Sequence, residues 1–510
     1  MTEPMIPVEL PIRWGKVIDQ TRCIGCHACS TACKSENLVP LGVNRTYVKS
    51  VDVGIFPAAR RTFQVTRCNQ CADAPCATAS PTGAMFTRKD GIVDFNKSIC
   101  IGCKACIAAC PYDAIFINPE DHSAEKCNFC AHRLDIGLEP ACVTVCPAEA
   151  ILVGDLNDPT SKVAQIVQRE AVAVRRPEKE TRPKLFYKGA HQATLDPLAA
   201  RRPSGGIFMW SEQGNVPHQV TSGHPHAHNS SAAALLSYDV PHRAPWDFRV
   251  SLYTFTKGIA AGAYLVPVVL VLLGVLDPAS SLWRWVAPLM ATGFLAATGG
   301  LLLWDLDHPE RFYMIFTRRR WASWLVRGAF IITGYGAVLG AHVAASFVSG
   351  SEIHRWLAIA GLPLALMTAV YTAYLLAQAK ARDLWQSALL PPHLVVQAIL
   401  LGAAVLLPFA SSSAPAVAVP LGWILAVSTL LHLLLVAGEA SMAHATAHAR
   451  LAAWEMTSGR YRTFFVAGVV LMLPVLAAPW FGIAVVPFAL LGLLLHEHAY
   501  IQAGQAVPLA

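Results

Sequence analysis

The sequence predicts a small α+β domain followed by an all-α bundle of eight membrane-crossing helices, and three observations carry that prediction. All 15 cysteines fall between residues 23 and 146. Hydrophobic residues make up 54% of the 510-residue chain and charged residues only 14%, too apolar for an ordinary soluble protein. Beyond residue 250, apolar runs long enough to cross a bilayer follow one another to the end of the chain. The net charge of +7 does not point to nucleic acid, because the basic residues gather at the ends of apolar runs, where membrane topology accounts for them.

The cysteines are odd in number and tightly clustered, which argues against a secreted disulfide framework and for metal ligation. They form four groups: Cys23, Cys26, Cys29 and Cys33; Cys68, Cys71 and Cys76; Cys100, Cys103, Cys106 and Cys110; and Cys127, Cys130, Cys142 and Cys146. The first and third read C-x2-C-x2-C-x3-C, in which three thiolates hold one iron-sulfur cluster and the fourth reaches to a second. Zinc would need only C-x2-C pairs.

In the second group the step that should end on Cys lands on Ser80, followed by Pro81 as Pro111 and Pro147 follow Cys110 and Cys146. With fourth ligands exchanged between paired groups, three expected sets are Cys23, Cys26, Cys29 with Cys146; Cys127, Cys130, Cys142 with Cys33; and Cys68, Cys71, Cys76 with Cys110. Cys100, Cys103 and Cys106 are left with Ser80. A hydroxyl gives up its proton far less readily than a thiol. The expectation is therefore three [4Fe-4S] clusters and one [3Fe-4S] cluster, with a Ser80-ligated [4Fe-4S] cluster as the alternative. Turn signals at 81–84, 89–92 and 147–151 separate the groups into two pseudo-repeated, ferredoxin-like modules within residues 1–200.

This half resembles the four-cluster electron-transfer subunit of the molybdopterin oxidoreductase superfamily, as found in dimethyl sulfoxide, polysulfide, tetrathionate and nitrate reductases. The resemblance covers roughly residues 12–200. It rests on the four groups in that order, the gap between Cys130 and Cys142, Gly-Asp-Leu-Asn-Asp-Pro at 154–159 and Arg-Pro-Glu-Lys-Glu-Thr-Arg-Pro at 176–183. It implies a separate molybdopterin catalytic subunit as partner; one oxidising a reduced sulfur compound such as sulfite is favoured here. No nucleophile or Gly-rich cofactor loop marks a substrate site on this chain, which is expected to conduct electrons rather than to transform the partner's substrate.

From 201 to 245 periodicity vanishes and Pro, Gly, Ser, Ala and His take over, the composition of a linker. The membrane domain, 246–510, follows, with spans expected at about 251–275, 282–304, 322–348, 354–377, 388–409, 415–437, 463–479 and 482–500. Tryptophans near the span ends, among them Trp283, Trp304, Trp321, Trp385 and Trp480, suggest an interfacial belt.

Loops after the second, fourth and sixth spans carry Arg311, Arg318, Arg319, Arg320, Lys380, Arg382, Arg450, Arg460 and Arg462, against Arg284 and Arg355 on the opposite side. The positive-inside bias then puts both termini and the iron-sulfur half in the cytoplasm of a bacterium, on its inner membrane. Met1–Leu10 shows neither an apolar signal core nor a twin-Arg motif, in keeping with that orientation.

Ionisable residues within spans are costly and mark function. Lys257, Asp305, Asp307, His308, Arg327, His393, Glu439, His496 and Glu497 all fall at the span ends on the iron-sulfur side. A polar pocket there suits a quinone, whose two carbonyls need hydrogen bonds and protons. His342 and His432 lie deeper; a b-type haem is the alternative to their being hydrogen-bonded helix-interface histidines. A proton-translocating subunit of a related respiratory complex is a further alternative.

The membrane half resembles the NrfD-type anchor of the polysulfide reductase family, which implies eight spans, no haem and a quinone site. The carriers are Ser-Leu-Tyr-Thr-Phe-Thr-Lys-Gly-Ile-Ala-Ala-Gly at 251–262, Leu-Trp-Asp-Leu-Asp-His-Pro-Glu-Arg-Phe at 303–312 and Trp-Ala-Ser-Trp-Leu-Val-Arg-Gly at 321–328. The resemblance carries the quinone over to Lys257, Asp305 and His308; Arg327 and His393 join them from the polar cluster.

Overall fold

The computed structural model describes residues 11–203, 221–348 and 351–510. The Met1–Leu10 stretch and residues 204–220 of the expected linker lie outside the described residues. Two compact units divide the chain: residues up to Arg243 together with Pro508–Ala510, and Ala244–Val507.

The first unit carries strands β1 (Trp14–Asp19), β2 (Thr46–Val53), β3 (Arg60–Arg67), β4 (Met85–Thr87), β5 (Val93–Phe95), β6 (Ile115–Ile117), β7 (Ala124–Lys126), β8 (Ile151–Asp155), β9 (Val172–Ala173), β10 (Leu185–Lys188) and β11 (Leu235–Tyr238). They form a sheet in the order β8-β1-β10-β9, a sheet β11-β2-β3, and the hairpins β4-β5 and β6-β7. Val17 of β1 pairs with Leu152 of β8 antiparallel and with Phe186 of β10 parallel. Val17 and its neighbour Ile18 are both fully buried, in different apolar clusters, as the two-residue period of a central strand requires. The expected linker is not structureless throughout: β11, inside 201–245, adds a strand to β2, because Leu236 packs with Val51 and Val53.

Helices in this unit are short: α1 (Ala28–Glu36), α2 (Pro75–Ala79), α3 (Ala105–Ala109), α4 (Ala131–Leu134), α5 (Ala141–Thr144), α6 (Lys162–Arg169) and α7 (Gln192–Leu195). The second unit is helical: α8 (Phe248–Leu272), α9 (Ala287–Trp304), α10 (Met314–Thr317), α11 (Trp324–Ala345), α12 (Ser351–Ala377), α13 (Leu390–Ser413), α14 (Pro415–Ser441), α15 (Ala447–Thr457), α16 (Arg462–Met472), α17 (Ala478–Phe481) and α18 (Val486–Gln505). Prolines open α13, α14 and α18 within the first turn, where a missing N–H costs no helical hydrogen bond. α8 and α13 cross at Gly262 and Gly402, so closely that a Cβ on either would strike the other helix's backbone.

Among the described residues, seven helical segments are long and apolar enough to cross a membrane. Six coincide with the first six expected spans; the last two expected spans fall inside one 44-residue run, Arg462–Gln505. That run is broken by 3-10 turns at Leu473–Ala477 and Gly482–Val485. Pro474, Pro479 and Pro487 withhold donors there, and Gly482 takes φ 54°, a conformation other residues resist. Across the break Phe464 meets His498, Phe465 meets His496 and Gly468 meets Gly492. As one number rises the other falls, so α16 and α18 pack antiparallel.

Trp304, Trp321 and Trp480 are exposed, as a belt requires, but Trp283 and Trp385 are fully buried. Trp283 packs on Tyr264 and His342, and Trp385 stacks on Trp246 with ring centroids 5.6 Å apart. Helix packing, not the interface, places these two.

Candidate functional site

The first and third cysteine groups fold alike. Gly25 and Gly102 have φ of 70° and 69°, and His27 and Lys104 have φ of 60° and 58°. Each left-handed pair turns the chain into a helix, α1 or α3, whose second residue is a cysteine of the group, Cys29 or Cys106.

Cys23, Cys26, Cys29 and Cys146 line one cavity of about 330 Å³. Cys68, Cys71, Cys76 and Cys110 line another of about 290 Å³. Around the third set, the Asn37 amide lies 3.7 Å from Cys33 Sγ and 3.6 Å from Cys130 Sγ. Burial, reinforced by the neighbouring Cys127, Cys142 and Cys130 sulfurs, pushes the Cys33 thiol up to about 12. Clustered, buried thiols of this kind are unfavourable as free thiolates but suit soft iron, so the donor sets fit iron-sulfur clusters.

Ser80 occupies the place that Cys110 holds in the adjoining module. Ser80 caps α2 with φ −66° and ψ 116°, Cys110 caps α3 with φ −79° and ψ 111°. Ser80 is buried, and its Oγ accepts a hydrogen bond from the Met85 N–H at 3.2 Å; Cys146 Sγ likewise accepts from the Ala150 N–H at 3.2 Å. The sulfur is replaced by oxygen while the local fold is kept. Cys100 Sγ accepts from the Ala124 N–H at 3.4 Å, and burial together with Cys103 and Cys100 raises the Cys106 thiol.

Two residues beside the cysteines went unread in the sequence. Arg67 Nη1 lies 2.9 Å, and Lys16 Nζ 3.8 Å, from Cys142 Sγ, both cations being buried. Arg67 directly precedes Cys68, which could have flagged it; Lys16, remote from every cysteine group, carries no such signal.

In the helical unit a cavity lies between α8, α12, α13 and α18. Thr254, Thr372, His393, Gln397, His496, Glu497 and Tyr500 give it polar groups, and Leu376, Leu390, Leu394 and Ile501 an apolar wall. Thr254 Oγ1 donates to Glu497 at 2.6 Å. Lys257 is buried one layer behind, donating to Thr372 Oγ1 and the Ala369 carbonyl at 2.8 Å each.

Of the expected quinone residues, His393 lines this cavity and Lys257 reaches it through Thr372. Asp305 faces Arg249 at 3.7 Å, His308 Nδ1 meets Glu310 at 3.0 Å, and Arg327 donates to the Trp321 carbonyl while lying over Trp324; none of these three lines it. Thr254 and Gln397 were missed because they are uncharged, though each sits a helical turn from Lys257 or His393 on the same face. His342 accepts its place as an interface histidine, its Nδ1 2.9 Å from the Tyr264 hydroxyl. His432 pairs with His393 instead, their Nδ1 and Nε2 2.8 Å apart, too close for a haem iron between them.

Comparison with known proteins agrees with both halves. Residues 59–156 match the 4Fe-4S dicluster domain, and residues 238–508 match the family described as polysulphide reductase, NrfD. The sequence is 41% identical over 204 residues to a tetrathionate reductase subunit of Salmonella typhimurium, covering 39% of this chain and 80% of that protein. It is 42% identical over 177 residues to a polysulfide reductase chain of Wolinella succinogenes (34% and 93%). It is 38% identical over 224 residues to the arsenate respiratory reductase iron-sulfur subunit of a Shewanella species (34% and 96%). The chain is thus an iron-sulfur, electron-transport protein with a transmembrane part, and it belongs to the NrfD polysulfide reductase family, with a 4Fe-4S dicluster domain in the same polypeptide.

Proposed function

We propose that the chain passes electrons between a separate molybdopterin catalytic subunit and the quinone pool. The observation that carries this is the membrane-unit cavity, in which His393, Gln397, His496 and Glu497 face an apolar wall, on the same polypeptide as four cysteine groups. Such a cavity suits a flat, greasy molecule with two polar ends. Bound clusters supply the one-electron steps; the protein's own groups orient the carbonyls and exchange protons. His393 and Glu497 are assigned these contacts, with Lys257 holding Thr372 in place.

Three [4Fe-4S] clusters and one [3Fe-4S] cluster at the Ser80 set are proposed, on the strength of Ser80 standing where Cys110 stands in its module. The antiparallel pairing of α16 and α18 favours two crossings in the last run and eight in all. The basic loops favour the iron-sulfur half facing the cytoplasm. Two of the relatives are named for tetrathionate and polysulfide reductases, which supports a sulfur compound as the partner's substrate class; within that class sulfite oxidation is our proposal.

The test is reoxidation of the dithionite-reduced, detergent-purified full chain by a menaquinone analogue. Iron-sulfur absorbance is expected to recover rapidly, and at least about tenfold more slowly in His393→Gln. Equal rates with and without the analogue would overturn the quinone reading.

A further inference from the structure

We infer that His393, His432 and His496 form a binding site for one late transition-metal ion, zinc or copper, within the helical unit. The three come from α13, α14 and α18, and are 4%, 1% and 2% exposed. One ligand atom from each falls within 4.8 Å of the others. Ring centroids are 5.0 Å apart for His393 and His432, 4.9 Å for His432 and His496, and 5.7 Å for His393 and His496. Imidazole is the ligand that zinc and copper share, and three of them on different helices make a preorganised face for a four-coordinate ion.

Hydrogen-bond accounting leaves polar atoms unanswered in this cluster, and unlike His342, whose Nε2 is also unpaired, its histidines stand three together. A neutral imidazole has one donor and one acceptor, and a packed interior normally satisfies the buried ones. In the triad, Nε2 of His393 and Nδ1 of His432 meet at 2.8 Å, but the buried Nδ1 of His496 has no partner. Beside them the buried Oε1 of Gln397 has none either, while the Nε2 of the same amide lies 3.5 Å from His393 Nε2. A half-turn of that amide exchanges the two atoms and turns an oxygen toward the rings. One ion held by a ring nitrogen from each of the three histidines takes the Gln397 oxygen as its fourth ligand. Charge is met close by, since Glu497 follows His496 in the chain and lines the cavity that His393, Gln397 and His496 line.

The site shares His393, Gln397 and His496 with the cavity proposed for the quinone, and its test reads bound metal rather than quinone turnover. Its test is elemental analysis of the chelator-washed, detergent-purified full chain, with iron counted in the same sample. About one zinc or copper per chain is expected, with iron unchanged and that metal lost in His432→Gln. X-ray absorption at the edge of that metal in the unsubstituted protein is expected to show a nitrogen and oxygen shell with imidazole scattering, and decides the matter if His432→Gln fails to assemble. Less than about a tenth of an equivalent of either metal, full retention in an assembled His432→Gln, or a sulfur shell placing the metal at the cysteines would each overturn the site.

Discussion

Arg67 directs Nη1 at the Sγ of Cys142 across 2.9 Å, and its Nε and Nη2 have no other hydrogen-bond partner. Burial, the largest influence on Cys142, pushes its thiol up; Arg67 and then Lys16 overcome it and hold the group at about 7. A cation here also favours the extra electron on whatever iron the sulfur holds. A unit charge about 5 Å away in an effective dielectric of about 20 contributes roughly 3 kcal/mol. Arg67→Met is expected to lower one cluster's reduction potential by on the order of 100 mV. Potentiometric titration followed by electron paramagnetic resonance would show it; four unmoved potentials would deny Arg67 this influence.

Ser80→Cys should restore a thiolate at the cap of α2, where Cys110 shows that the backbone accepts one. The oxidised protein is expected to lose a three-iron resonance and to gain about one iron per chain. If the unsubstituted protein already lacks that resonance, the Ser80-ligated four-iron alternative takes its place.

His242 lies buried between Asp113 at 2.5 Å and Asp239 at 3.2 Å. Burial alone would push it down, but Asp239 and Asp113 raise it to about 9. Its contribution is present in full below the unfolded value of about 6.5 and is lost as pH rises through about 9, amounting to roughly 3 kcal/mol. Lys49, held at about 8 by burial against the pull of Asp239, changes in the opposite sense at higher pH. The comparison is therefore with His242→Gln, which retains Lys49: the melting-temperature gap between the two proteins should be wide at pH 6 and narrow above pH 9. A gap independent of pH would mean that His242 acts by packing alone.

Lys257 and Arg327 separate the buried polar layer from the rim. Lys257→Met removes the donor to Thr372 and Ala369 and should slow reoxidation by a menaquinone analogue about tenfold or more. Arg327→Gln, altering a side chain bound only to the Trp321 carbonyl and the Trp324 ring among its described contacts, should leave it within about twofold. The reverse ranking would move the quinone to the rim.

Local chemistry was legible in the sequence, and distant packing was not. The cysteine groups could be read because ligand spacing is a short-range property, and six spans because apolarity needs no partner to be visible. The last two spans were harder, since Pro474, Pro479, Gly482 and Pro487 announce a break without saying how the chain rejoins. His393, His432 and His496 share no sequence spacing; only the assembly of α13, α14 and α18 brings them together. Trp283 and Trp385 misled for the converse reason: near span ends in sequence, they are drawn inward by Tyr264 and Trp246.

The crossing of Gly262 and Gly402 leaves α8 and α13 no slack to part or slide without losing backbone contact along that seam. Thr254 and His393, on the same two helices, are therefore fixed jambs of the cavity. The spacing of those two side chains is thus set by a backbone seam that no side-chain change elsewhere in the cavity can relax.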